Sequence, residues 1–228
     1  MGAITVLVSV GTAGAQFQPW QQQLSEIYDL GLSEAALFLT GVPEEEERRA
    51  IYALVEDLGI CVPFCHIRSE MSGEEIRYLM AKFGMEMFNV HSLADYPLKF
   101  SPAEFYGQIL LENGYLSPID AREAEIVGNL CLDLAHLEVL RWINPAWYEH
   151  TLAVALRWPV LASHVGAIRS PVAGNGAEHT LHALEDFDYL HALPRHFFGK
   201  YMAIELFNSA SSQLEAKRHI EEKILATK

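Results

Sequence analysis

The chain has 228 residues, half of them apolar and 20% charged, with 16 Lys and Arg against 30 Asp and Glu for a formal net charge of −14. That is the length of one large domain with a sizeable core, and not a disordered composition. So acidic a balance argues against a nucleic-acid partner, whose phosphates must be neutralised by many cations, and no run reaches the roughly 18 unbroken apolar residues of a membrane span.

The first residues, Met1 to Val10, lack a basic region and do not read as a secretory signal. Cys61, Cys65 and Cys131 all fall in apolar runs and read as reduced, buried thiols of a cytoplasmic protein. Eight near-continuous apolar runs follow one another: Ile4 to Val10, Ala35 to Thr40, Cys61 to Ile67, Met85 to Val90, Gln108 to Leu111, Leu130 to Leu134, Val160 to Val165 and Tyr201 to Phe207. Such runs are expected of parallel strands buried on both faces.

Helix signals fill the intervals. Pro43 and Glu44 to Glu47 read as a solvated helix start with Arg48 and Arg49 as charge partners, and Gly59 closes that helix. Ser72 and Glu75 make a capping box, with Gly84 as the stop. Asn144-Pro145 opens a helix that ends before Trp158-Pro159, and the last helix runs from about Ser211 to Ile224. Weaker helical segments are Pro19 to Leu30, Pro102 to Phe105, Ile119 to Val127 and His179 to His191. Eight strand-then-helix units predict an α/β fold, a single compact (β/α)8 barrel over residues 1–228, with an open doubly wound sheet as the alternative. No Gly-x-Gly-x-x-Gly or Walker loop supports nucleotide-binding versions of the latter. The fourth and fifth helices must be short, since only 20 residues lie between His91 and Glu112 and 20 between Glu112 and Asp133.

The active site of such a barrel lies at the C-terminal ends of its strands. There the sequence places His66, His91, Glu112, Asp133, His136, His164 and Glu205. Each alone has a bland reading, a salt-bridge partner, a cap or a satisfied core histidine. Glu112, Asp133, His164 and Glu205 on four consecutive strands are different, because buried carboxylates repel one another unless a divalent cation joins them. By contrast, His179 and His182 read as surface residues, and the four tryptophans as packing groups.

The ordered segments Ile109-Leu110-Leu111-Glu112-Asn113, Leu130-Cys131-Leu132-Asp133-Leu134-Ala135-His136, Ala162-Ser163-His164-Val165 and Ala203-Ile204-Glu205-Leu206 resemble the xylose isomerase-like TIM barrels. That superfamily of sugar isomerases and epimerases also includes endonuclease IV. The resemblance implies Glu112, Asp133, His164 and Glu205 as metal ligands and His136 as a contact to a substrate oxygen. Two features depart from the pattern: no acidic residue follows His164 in Val165-Gly166-Ala167-Ile168-Arg169, and Ala177-Glu178-His179 lacks the aspartate of the endonuclease branch.

The expected chemistry is that of a metal-dependent isomerase or epimerase of a sugar, a sugar phosphate or a related hydroxy-carbonyl compound. One cation, Mn²⁺, Mg²⁺, Co²⁺ or Zn²⁺, would stabilise an enediolate while Glu112 and Glu205 exchange the proton. His66, His91 and Arg169 are expected to face substrate, and the loop from Ser170 to Ala177 is a candidate lid. Two alternatives stand beside this reading: an endonuclease IV-like phosphodiesterase, and a catalytically silent metal- or sugar-binding barrel. The sequence leaves homo-oligomerisation open.

Overall fold

A computed structural model describes residues 3–13, 18–114, 116–169 and 179–227. Its strands are β1 (Thr5–Leu7), β2 (Ser9–Gly11), β3 (Ala36–Phe38), β4 (Phe64–His66), β5 (Met87–Val90), β6 (Ile109–Glu112), β7 (Leu130–Asp133), β8 (Val160–Val165) and β9 (Tyr201–Ile204). The α-helices are α1 (Trp20–Asp29), α2 (Glu45–Asp57), α3 (Gly73–Phe83), α4 (Ala121–Val127), α5 (Leu134–Ile143), α6 (Pro145–Ala155) and α7 (Ala210–His219).

Every strand pairing is parallel, and the sheet runs β1-β9-β8-β7-β6-β5-β4-β3-β2. Nine strands stand where eight runs were expected because the first run changes partner at Val8. Thr5–Leu7 lies along β9, whereas Ser9–Gly11 lies along β3. One segment thus joins both ends of the sheet and nearly closes the barrel.

Side-chain alternation along each strand divides the core. Leu7, Phe38, Phe64, Leu110, Cys131, Ala162, Tyr201 and Ala203 form a small buried cluster inside the barrel. Their neighbours Val6, Leu37, Cys65, Leu111, Leu132, Met202 and Ile204 belong to the larger cluster shared with the helices. The short connections hold as expected. A 3-10 turn, Pro102–Phe105, is the fourth helix, and the seven-residue α4 is the fifth.

Several local expectations change. α5 starts directly on β7, because Asp133 is at once the last strand residue and the helix N-cap. The segment read as a helix from His179 holds a 3-10 helix over Leu184–Ala192. The C-terminal helix passes at Ile220–Ile224 into a π-helical turn. Cys61 is exposed, since β4 begins only after Pro63, and Trp142 lies on the surface with its indole N–H donating to Glu138. The candidate lid at Ser170 to Ala177 lies outside the described residues.

Ser72 caps α3 by accepting from the Glu75 backbone N–H at 3.1 Å, but Glu75 does not complete the capping box. Its carboxylate takes two bonds from Arg48, at 2.7 and 2.9 Å, and one from the Tyr52 hydroxyl at 2.8 Å. Arg48 and Glu75 are both buried, so this pair ties α2 to α3, while Arg49 alone serves the exposed helix start through Glu45. Removing one partner of a buried pair strands the other charge, at a cost of about 3–5 kcal/mol. Arg48→Met is therefore expected to lower stability by that amount in urea unfolding, and Arg48→Met combined with Glu75→Leu to recover most of it. A double variant no more stable than the single one would count against this account.

Candidate functional site

The layer just above the apolar interior is polar. Two residues beyond Phe64, Met87, Leu110, Cys131 and Ala162, each strand turns a side chain to the same interior: His66, Asn89, Glu112, Asp133 and His164. Glu205 follows Ala203 in the same way just past β9. One ligand atom from each of Glu112, Asp133, His164 and Glu205 lies within 4.8 Å of all the others, and His66, Glu112 and His164 form a second such group.

Glu112 is the hub. One carboxylate oxygen lies 3.2 Å from His164 Nδ1; the other accepts from the Asn89 side-chain amide and lies 3.4 Å from His66 Nε2 and 3.8 Å from His91 Nε2. His164 Nδ1 also lies 3.4 Å from Glu205, so the imidazole sits between two carboxylates. The Phe38 and Phe64 rings pack 4.8 and 5.7 Å from the His164 ring and give it an apolar floor.

Asp133 is fixed from two directions. Its carboxylate caps α5 by accepting from the His136 backbone N–H at 2.8 Å and lies 3.3 Å from His136 Nδ1. The Asn113 side chain clamps its backbone, accepting from Asp133 N at 2.8 Å and donating to Asp133 O at 3.0 Å.

Electrostatics follow from this crowding. Burial resists ionisation of Glu112, but the histidines 66, 164 and 91 around it hold the carboxyl well below the usual range. Burial likewise opposes a charged His164, yet Cys131 and Glu112 beside it hold its pKa well above the ordinary value. Glu205 overcomes its burial through His164 and His179 and is lowered to about 2. Asp133 is pushed up, chiefly by burial and further by Glu205 and Glu112, because the positive charge nearby does not serve every carboxylate. Burial lowers His66 to about 3, so it is a neutral imidazole at pH 7.

The donor set fits a divalent cation. Three carboxylates and an imidazole converge from four strands, burial and to a lesser degree the neighbouring carboxylates have raised Asp133, and hard or borderline divalent ions take such oxygen and nitrogen donors.

The structure brings His66, His91 and His136 to the cluster, His66 buried and the other two lining a cavity of about 210 Å³ beside Glu112. Arg169 is exposed and forms no hydrogen bond or ion pair among the described residues. His179, read as a surface residue, instead reaches the site: its Nδ1 lies 3.1 Å from the Glu205 backbone oxygen and its ring 6.2 Å from that of His136. The sequence reading also passed over Asn89 and Asn113. The two-residue alternation that marks Glu112 would have found Asn89, whereas His179 follows a long connection and carries no local signal.

No protein-family model and no curated protein matches the chain. Among solved structures it is similar to a xylose isomerase domain protein from Alicyclobacillus acidocaldarius, with 14% identity over 98% of this chain and 99% of that one and a TM-score of 0.56. It is also similar to the probable 3-DHS dehydratase AsbF, involved in petrobactin synthesis, from Bacillus anthracis. There the identity is 14% over 97% of this chain and 100% of that one, with a TM-score of 0.54. With parallel strands closing in order and these two full-length likenesses, the chain has the xylose isomerase-like TIM-barrel fold.

Proposed function

We propose that the protein is a divalent-metal-dependent isomerase or epimerase acting on a sugar or related hydroxy-carbonyl compound. The observation that carries this reading is the convergence of Glu112, Asp133, His164 and Glu205 to within 4.8 Å at the C-terminal mouth of the barrel. These four residues would hold one cation, Mn²⁺, Mg²⁺, Co²⁺ or Zn²⁺, which supplies Lewis-acid polarisation of vicinal substrate oxygens and stabilises enediolate charge.

The chain's own residues would handle the proton. Glu205 is the most solvent-facing of the four, with one-fifth of its side chain exposed, and its low pKa keeps it ionised. It is placed to take a proton from the carbon next to a carbonyl. In 1,2-isomerisation Glu205, once protonated, would hand that proton to the adjacent carbon; in epimerisation Glu112, on the other side of His164, would return one only after taking up a proton itself from a substrate hydroxyl or water. Asp133, clamped by Asn113 and by the α5 cap, acts as a fixed ligand, and His136 and His91 at the cavity wall contact substrate oxygens. A dehydratase activity, the one named for the Bacillus anthracis neighbour, would begin with the same proton removal.

A hydrolytic reading draws on a different observation. His66 and His91 lie 3.4 and 3.8 Å from one Glu112 oxygen and extend the donor set toward a second cation, as metal-assisted attack on a phosphodiester would use. The net charge of −14 opposes a DNA substrate. Nicking of abasic-site DNA above a metal-free control would promote this reading over the first.

Three outcomes are expected. Purified protein titrated with Mn²⁺ should bind about one equivalent and melt at higher temperature, and Asp133→Asn should weaken that binding by about tenfold or more in calorimetry. Glu205→Gln should keep the native circular-dichroism spectrum and lose about a hundredfold or more in kcat; unchanged turnover would remove Glu205 from the chemistry. Because a cation must displace the proton that His164 holds between two carboxylates, metal affinity should fall as pH falls. Equal affinity at pH 5.5 and pH 8 would contradict the ligand assignment.

A further inference from the structure

The residues that open β1, β8 and β9 lie at the end of the barrel opposite the candidate ligands, with about 13 Å of strand separating Val160 from His164. These strand starts are tied together: Lys200 N donates to Leu161 O at 2.7 Å, and Thr5 N donates to Lys200 O at 2.8 Å. Gly199 makes the close approach possible. Its φ is +66°, and a Cβ there would lie 2.5 Å from the Leu161 carbonyl carbon. From α6 the chain reaches the same end through Leu156, Arg157, Trp158 and Pro159.

Between these segments lies a cavity of about 820 Å³, roughly four times the volume of the one beside Glu112 and large enough for a small-molecule ligand. Ile4, Leu156, Trp158, Pro159 and Val160 give it an apolar wall, in which Leu156 is 69% exposed. Arg157, Arg195, His196 and Lys200 line it as well. Three of the chain's 16 Lys and Arg thus converge here, and none of its 30 Asp and Glu is among the described lining residues. In a chain of net charge −14 this concentration runs against the field of the whole molecule. Lys200 is paired with Glu86, but Arg157 and Arg195 form no ion pair among the described residues. The Arg157 guanidinium instead rests 5.8 Å from the centre of the Trp158 ring, whose buried indole N–H has no hydrogen-bond partner among the described residues. An uncompensated guanidinium presents a planar fork of donors that matches a carboxylate or a phosphate, and an aromatic wall accepts a flat apolar group.

We propose a second ligand site at the N-terminal end of the barrel, for a small molecule that joins a phosphate or carboxylate to an apolar ring system. Arg157 and Arg195 receive the oxyanion, and Leu156, Trp158 and Pro159 the apolar body. The site is separate from the candidate metal centre and does not depend on the reaction carried out there.

Calorimetric titration of the intact chain with 2-naphthyl phosphate, 2-naphthoate, 2-naphthalenemethanol and inorganic phosphate tests the assignment. At least one naphthyl anion is expected to bind at one equivalent, about tenfold or more tightly than either the neutral alcohol or phosphate alone, and the tighter of the two identifies the oxyanion. The double variant Arg157→Gln/Arg195→Gln, in which neither altered side chain is buried, should keep the wild-type melting temperature and lose about tenfold or more in affinity for that anion. Leu156→Glu, which sets a carboxylate in the wall, should weaken the same binding. Anion binding that neither change alters would place the ligand elsewhere and overturn the site, as would equal affinity for the alcohol or no binding of either anion. A concentration-dependent dimer that Leu156→Glu dissolves would also overturn it, by showing that a second copy of the chain covers the cavity.

Discussion

A buried carboxylate surrounded by histidines is the constraint around which the barrel interior is organised. Glu112 sits on β6 almost out of contact with water, and its burial would be prohibitive without partners. Asn89 and His164 come from β5 and β8 to supply them. Because those strands approach from both sides of β6, the electrostatic requirements of one side chain act on much of the barrel. The His164 cation that relieves Glu112 also faces Glu205, while Asp133 is left with less compensation. Such a surplus of negative charge is compatible with the divalent cation that the donor set could hold.

The polar layer owes its position to strand geometry. Small and aromatic apolar groups fill the barrel beneath it, and the next inward-facing residue on each strand is a donor or acceptor. The Phe38 and Phe64 rings beneath His164 exclude water and so strengthen every charge interaction above them. Above the layer the connections from strand to helix range from none, after β7, to the long stretch between Val165 and Leu184. The extreme case is Asp133, whose carboxylate both faces the cluster and caps α5, so the orientation of a candidate ligand is set by a helix terminus.

What could be read from the sequence follows from the same geometry. Charged residues inside apolar runs stand out, so Glu112, Asp133, His164 and Glu205 were legible, as was the repeating unit that brings them to one mouth. Asn89 was passed over, because an uncharged amide at a strand end reads as ordinary punctuation, although strand alternation points to it and it donates directly to Glu112. His179 was read as a surface residue because nothing in strand alternation reaches it once the chain has left β8, yet fifteen residues after His164 it returns to the site. Likewise Glu75 was legible as part of a capping motif, but Arg48 claims its side chain because a buried guanidinium needs a carboxylate more than a helix end needs a second cap.

The segment that passes from β9 to β3 at Val8 bears on how the molecule is assembled. Thr5 pairs with Tyr201, 196 positions later, so the seam of the barrel joins its first strand to its last described one. On a ribosome, residues 5–7 must wait for residues 201–203 to emerge before their partner exists, and the half-built sheet meanwhile keeps an unpaired edge. Closure of the barrel is thus a late event in its assembly, and the cluster of candidate ligands, which draws on β6 to β9, matures in the same final step.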